Sequence, residues 1–335
     1  MNVLVIGGTG FIGAPTVRRL AEAGHAVTVI HRGGSTADLP AGVGRVIGDR
    51  NALFELRATL ERLAPDVVLD LVPYTEKQAL EVARTFTGMA GRLVAVSSGD
   101  VYRNYDGLRR RSTLPPDPVP LAETAPLREE LFPYRGSDIP FEDRDDYEKI
   151  LVERVVMGQA GLPGTILRLP AVYGPGNRQH RLGTYVRRMD DGRPAILLGE
   201  GEAGWRWTRG YVENVAAAVA LAVTHAGAAG RIFNVGDEPT LTVREWVMLV
   251  ADSAGWRGEI VEVPDERLPN SLRQPYDWRY HLETDTGLIR QALGYREPVP
   301  PKQAIAATIE WERANRGPED APDYAEEDAA IAQNR

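Results

Sequence analysis

Apolar runs and amphipathic stretches alternate along the first half of the chain. The apolar runs fall at 2–6, 26–30, 66–71, 92–97 and 164–168, with a weaker one near 43–47. Between them, 14–23, 52–63, 76–87 and about 146–160 carry apolar residues at helical spacing. This alternation predicts an α/β fold, a doubly wound parallel sheet with helices on both faces and right-handed crossovers. In such a sheet, ligands bind beyond the carboxyl ends of the strands.

Two stretches interrupt the rhythm. Residues 103–145 form a long connection that contains Leu114-Pro-Pro-Asp-Pro-Val-Pro120 and many charges. A connection of this length in a compact domain covers a site or is partly disordered, so it reads as lid-like. Residues 174–209 are rich in Gly, Arg and Trp. Beyond them the pattern predicts a helix over 212–225, a strand over 231–235, a helix over 242–255, a short strand over 259–263 and a helix over 301–315. The expected division is a nucleotide-binding domain over 1–173, mainly a substrate-binding lobe over 174–316, and a polar, frayed tail over 317–335. No internal repeat is evident.

The first apolar run leads straight into Gly7-Gly-Thr-Gly-Phe-Ile-Gly13 and then into a helical stretch that ends at Gly24. A strand, a glycine turn and a helix in this order bring backbone close to a diphosphate. Side chains at Gly7 or Gly10 would obstruct the turn or the ligand, and Gly13 lets the helix pack on the sheet. The amide hydrogens and dipole at the helix start favour an anion. The second strand ends Ile30-His-Arg-Gly-Gly-Ser35, without the acid that usually receives the adenosine ribose of NAD. Arg32 suits a ribose 2′-phosphate, with Ser35 adding a donor, so NADP is expected over NAD. NAD remains possible if Arg32 only stacks on adenine. Asp49 ends the third strand, where it suits the adenine amino group, the cap of the following helix, or both.

Composition narrows the function classes. The 335-residue chain has net charge −8 and a pI near 5.3, which argues against a nucleic-acid partner. It has no cysteine, and its five histidines show no metal-ligand spacing, so no protein-bound metal is expected. No apolar run approaches the roughly 18 residues of a membrane span, and the N-terminus reads as a strand rather than a signal peptide. These features predict a cytoplasmic protein with a small-molecule substrate and no membrane partner.

The chain resembles the extended, atypical short-chain dehydrogenase/reductases, the NAD(P)-dependent epimerase/dehydratase group with a Rossmann domain. The resemblance rests on Gly7–Gly13, Asp49, Ser97-Ser-Gly-Asp-Val-Tyr102, Lys149, Arg168-Leu-Pro-Ala-Val-Tyr-Gly-Pro175 and Phe233-Asn-Val-Gly236. It implies dinucleotide contacts at Gly7, Thr9, Gly10, Phe11, Ile12 and Gly13 in the turn, and at His31, Arg32 and Ser35. It extends them to Asp49, Arg50, Leu71, Val72, Ser97, Lys149, Pro170 and Val172. It also implies a homodimer through the helices near 76–87 and 146–160. Ser98 would polarise the substrate oxygen, a tyrosine would exchange a proton with it, and Lys149 would hold the nicotinamide ribose and lower the tyrosine pKa.

One departure stands out. The family's tyrosine lies four residues before the lysine, but that place is Asp145. Tyr147 is two residues before Lys149, about 200° away on a regular helix. Tyr147 reaches the site only from an irregular or late helix start. Otherwise Tyr134 or Tyr105 substitutes, or the alcohol–ketone chemistry is weakened and the protein is a cofactor-binding sensor or scaffold. Asp145 and Asp146 are expected to cap the helix. Gly99 and Asp100 fill the places of a dehydratase acid–base pair, so full 4,6-dehydratase chemistry is disfavoured. The expected substrate contacts are Asp100, Tyr134, Tyr173, Arg178, Trp207 and Arg209, with a secondary alcohol or ketone of a sugar-nucleotide-like or secondary-metabolite substrate reacting. Arg181, Arg187 and Arg188 read as a solvated helix face. The His31-Arg-Gly33 and Trp207-Thr208 segments also resemble a chloroplast stem-loop RNA-binding branch, which the acidic pI disfavours.

Overall fold

The computed structural model describes residues 1–34, 38–316 and 323–334, so Ser35 lies outside the described residues. Among the described residues, eleven strands form one large and two small sheets. They are β1 (Asn2–Ile6), β2 (Ala26–His31), β3 (Gly44–Ile47), β4 (Val67–Asp70), β5 (Arg92–Ser98), β6 (Gly164–Leu169), β7 (Ala171–Tyr173), β8 (Ala195–Gly199), β9 (Arg209–Tyr211), β10 (Arg231–Asn234) and β11 (Glu259–Val263). The large sheet has the order β10-β6-β5-β4-β1-β2-β3 and is parallel throughout. The order reverses beside β1, and the crevice at that reversal is where ligands bind.

The helices in chain order are α1 (Gly13–Glu22), α2 (Arg57–Leu63), α3 (Glu76–Phe86), α4 (Arg103–Leu108), α5 (Lys149–Met157), α6 (Gly183–Asp190), α7 (Glu200–Gly204), α8 (Val212–Thr224), α9 (Val243–Ala254), α10 (Gly287–Leu293), α11 (Pro301–Ala314) and α12 (Ala325–Gln333). Successive residues of β1 point to opposite faces. Val3 and Val5 join the core with Val17 and Leu20 of α1 and Val215 and Val219 of α8. Leu4 and Ile6 join a second core with Val82 and Phe86 of α3 and Val152 of α5. Burial on both faces is why these strands read as almost wholly apolar. Thr75 and Gln78 form a reciprocal capping box that starts α3. Buried Arg92 donates to the carbonyls of Ala222 and His225, placing a positive charge at the end of α8.

Five expectations need correction. The boundary at 173 is crossed, because β10 pairs with β6 and α8 packs against α1, so 212–234 belongs to the large sheet unit. The stretch 52–63 is not one helix, because a 3-10 segment over Arg50–Leu56 precedes α2. The helix expected from 146 starts at Lys149. The tail is not frayed over 325–333: α12 buries Ile331 against Leu197 and Val263 and pairs Glu327 with Arg188 at 2.5 Å. That pairing also buries Arg188, which the sequence pattern left in solvent.

Candidate active site

The glycine turn opens a groove of about 410 Å³. Gly7 has φ +83°, which favours glycine, and a Cβ on Gly13 would lie 2.2 Å from the Gly7 carbonyl oxygen. Gly7, Thr9, Gly10, His31, Arg32, Asp49, Arg50 and Val72 all line the groove. His31 Nδ1 accepts the Gly33 amide hydrogen at 3.1 Å, which leaves the proton of the neutral ring on Nε2. His31 Nε2 is buried without a partner. His31 and exposed Arg32, which lies 3.8 Å from Glu142, stand side by side on the groove wall. Asp49 accepts from Asn51 N at 2.9 Å, capping the 3-10 segment while lining the groove. Arg50 is held by Asp70 through two 3.0 Å contacts, yet its Nε is buried and unpartnered. An open glycine cradle and two orphaned donors fit a dinucleotide carrying phosphates.

The residues expected to be catalytic meet at the corner where β5 ends. Ser98 is its last residue, and its hydroxyl accepts the Asp100 amide hydrogen at 3.2 Å. Tyr147 has extended backbone (φ −63°, ψ 119°), and Glu148, rather than either aspartate, caps α5. Asp145 instead accepts from Gly136 N and Arg144, and Asp146 lies 3.9 Å from Arg135. The extended turn swings Tyr147 inward, against Ser98 and Asp100. Its ring lies 5.7 Å from Lys149 Nζ. Lys149 donates to the carbonyls of Pro73 at 2.7 Å and Val96 at 3.0 Å. Tyr134, from the long connection, also reaches Asp100, at 3.1 Å.

Burial sets the proton affinities here. It raises the Asp100 carboxyl, against the pull of Arg128, the Tyr147 bond, Lys149 and the Tyr134 bond. Burial and then the Asp100 charge push Tyr147 well above its usual value, opposite to the lowering expected from Lys149. Lys149 is itself lowered to about 8 by burial, with Asp100 and Asp70 opposing.

The corner opens into a cleft of about 490 Å³, walled by Trp205, Trp207, Trp278 and Tyr276 and floored by Pro170. An adjoining chamber of about 430 Å³ shares the tryptophans and adds Tyr173 and Arg209. Arg181 lines both, and its ring contact is Trp207 at 5.0 Å. Arg209 lies over Trp246 at 4.7 Å, and burial lowers it to about 10. The long connection covers both halves of the site: Tyr134 walls the cleft, and Phe141 packs edge-on to Tyr74 over the groove.

Several of the expected contact residues are not among those that line the groove or the cleft. The Ser97 hydroxyl donates to Glu153 at 2.6 Å and faces away from the groove. Arg178 is exposed and lines neither cavity, whereas Arg181, which read as solvated, lines both. Leu71 packs behind the glycine turn. Phe11 lies against Gly176, and the Val172 carbonyl accepts from Asn177 and Arg181. Ile12 occupies the turn that starts α1. Sequence reasoning missed Glu202, Tyr276 and Trp278; the aromatic pair in Tyr276-Asp-Trp278 was the available signal.

No helix among the described residues is long and apolar enough to cross a membrane. Residues 3–236 match the model of the NAD-dependent epimerase/dehydratase family. A 2′-dehydrokanamycin reductase of Streptomyces kanamyceticus is 29% identical over 92% of this chain and 84% of its own length. A dTDP-glucose 4,6-dehydratase of Salmonella typhimurium is 25% identical over 94% of this chain and 93% of its own. The structure of a Thermus thermophilus UDP-glucose 4-epimerase in complex with NAD superposes with a TM-score of 0.63 at 24% identity, covering 93% of this chain and 99% of that one. With its parallel sheet, glycine turn and matched span, the chain belongs to the NAD-dependent epimerase/dehydratase family.

Proposed function

We propose that the protein is an NADP-preferring oxidoreductase or epimerase acting at a secondary alcohol or ketone of a sugar-nucleotide-like or secondary-metabolite substrate. The observation that carries this reading is Tyr147, beside Ser98 and above Lys149 despite the altered spacing. The same observation weighs against a redox-silent sensor. The Tyr147 and Ser98 hydroxyls bind the reacting oxygen, and Tyr147 gives or takes its proton. Lys149 adds positive charge beneath them. Residues of the groove hold the dinucleotide, which when bound supplies or accepts the hydride. Exposed Arg32 supplies donors where an acid would serve NAD, which supports NADP. Gly99 in place of one carboxylate weighs against a full 4,6-dehydratase.

The test follows nicotinamide absorbance with NADPH or NADH and a panel of keto sugar nucleotides and 2′-dehydrokanamycin. Turnover is expected with at least one ketone, faster with NADPH. Tyr147→Phe should lower kcat by at least about 100-fold while still binding NADPH. Lack of turnover across the panel, or a fully active Tyr147→Phe, would overturn the proposal.

A further inference from the structure

Asp100 carries two phenols on one oxygen. Tyr147 donates to Oδ2 at 2.9 Å and Tyr134 donates to the same atom at 3.1 Å. Its other oxygen, Oδ1, is buried with no partner. From Tyr134 the contacts continue to two further half-buried residues of the cleft wall. The hydroxyls of Tyr134 and Tyr105 are 2.8 Å apart, and Arg109 Nη1 donates to the Tyr105 oxygen at 3.1 Å. Arg109 also lies over both rings, at 5.6 and 5.7 Å. Every atom from Tyr147 to Tyr105 belongs to a hydroxyl or carboxyl that both gives and accepts protons. Lys149 has no place in this chain, because it donates to two main-chain carbonyls.

We propose that Asp100, Tyr134 and Tyr105 form a proton relay that connects Tyr147 to solvent. The proposal rests on Tyr147 being the acid–base group. In the reducing direction the carbonyl carbon gains a hydride from a reduced nicotinamide, and the oxygen gains the phenolic proton of Tyr147. Asp100 passes its carboxyl proton to the Tyr147 oxygen. Tyr134 reprotonates Asp100, Tyr105 reprotonates Tyr134, and water reprotonates Tyr105. One solvent proton is consumed per hydride, and oxidation of an alcohol runs the same steps backwards. The groups facing Asp100 are Arg128, Lys149, Tyr147, Tyr134 and Tyr105. Burial outweighs the two cations and raises its proton affinity, which brings the neutral acid within reach. Arg109 stabilises negative charge passing through the outer phenols.

Tyr134→Phe and Tyr105→Phe keep the rings and remove the hydroxyls. In Tyr134→Phe, kcat should fall about tenfold or more while KM changes by less than about threefold. The solvent deuterium isotope effect should rise, and added imidazole or acetate buffer should restore kcat in proportion to its concentration. Tyr105→Phe should show the same pattern, more weakly. Unchanged kcat and pH profile in both variants overturns the relay, as does a loss confined to KM or one that no buffer acid restores. An inactive Tyr147→Phe beside a normal Tyr134→Phe removes the relay alone; an active Tyr147→Phe removes the proposed function with it. A measurement without turnover is the infrared carbonyl band of protonated Asp100, assigned by its loss in Asp100→Asn. Tyr134→Phe should shift that band, and an unshifted band overturns the relay.

Discussion

Glu202 is the residue whose charge state is set most plainly by its surroundings. It lines the cleft and the adjoining chamber. Burial, followed by the nearby charge of Asp265, raises its carboxyl to about 7. No salt bridge reaches it among the described residues, so nothing offsets the burial. Below pH 4.5 both the folded and unfolded states hold this proton and the group costs nothing. As pH rises from 4.5 to 7, the unfolded chain ionises first and the fold loses stability; above 7 the cost is fully present. Glu202→Gln keeps the neutral shape. The variant should match the wild type in urea unfolding at pH 4 and exceed it by about 2 kcal/mol at pH 8, allowing for partial screening. Equal stability at both pH values would show that the carboxyl is better solvated than its position implies.

At the level of the element, the start of α5 decides whether the site works. Arg128 and Glu148 are both fully buried and lie 2.9 Å apart. Glu148 also accepts from Ile150 N at 2.8 Å and Phe132 N at 2.6 Å, while Arg128 Nε donates to the Asp100 carbonyl at 2.5 Å. One ion pair therefore fixes the helix start, the long connection and the backbone of Asp100. Glu148→Gln leaves Arg128 buried without its counter-charge and should cost about 3–5 kcal/mol in chemical denaturation. Replacing both partners by methionine should cost less than the sum of the single changes. The apolar strands and the glycine turn were legible in the sequence because their causes are local: burial on both faces and a positive φ. The helix start was not legible. Asp145 and Asp146 are better intrinsic caps than a glutamate, but their carboxylates serve Gly136, Arg144 and Arg135. Glu148 wins through an arginine 20 residues away. Arg181 was misplaced for a related reason, since helical spacing of arginines does not reveal which one a neighbouring lobe of tryptophans covers.

Across the whole molecule, the two halves of the site rest on different supports. The groove is built from residues between Ile6 and Asp143, on the large sheet and its covering loop. The outer chamber leans on α6, α7 and α9. Helix α12 braces that lobe: Glu327 meets Arg188 of α6 from the far end of the chain, and Ile331 covers β8 and β11. Arg188 Nη1 also donates to the Thr184 carbonyl, and Thr184 lines the chamber beside Tyr185. A loss at α12 should therefore reach the substrate side and stop short of the groove. Glu327→Ala strands a largely buried guanidinium, which costs about 3–5 kcal/mol. The variant should unfold at lower urea and show a raised KM for substrate, with the NADPH dissociation constant unchanged by fluorescence titration. Equal weakening of substrate and cofactor binding would mean that the lobes respond as one body, and the C-terminal helix would then brace the entire fold rather than one wall of the cleft.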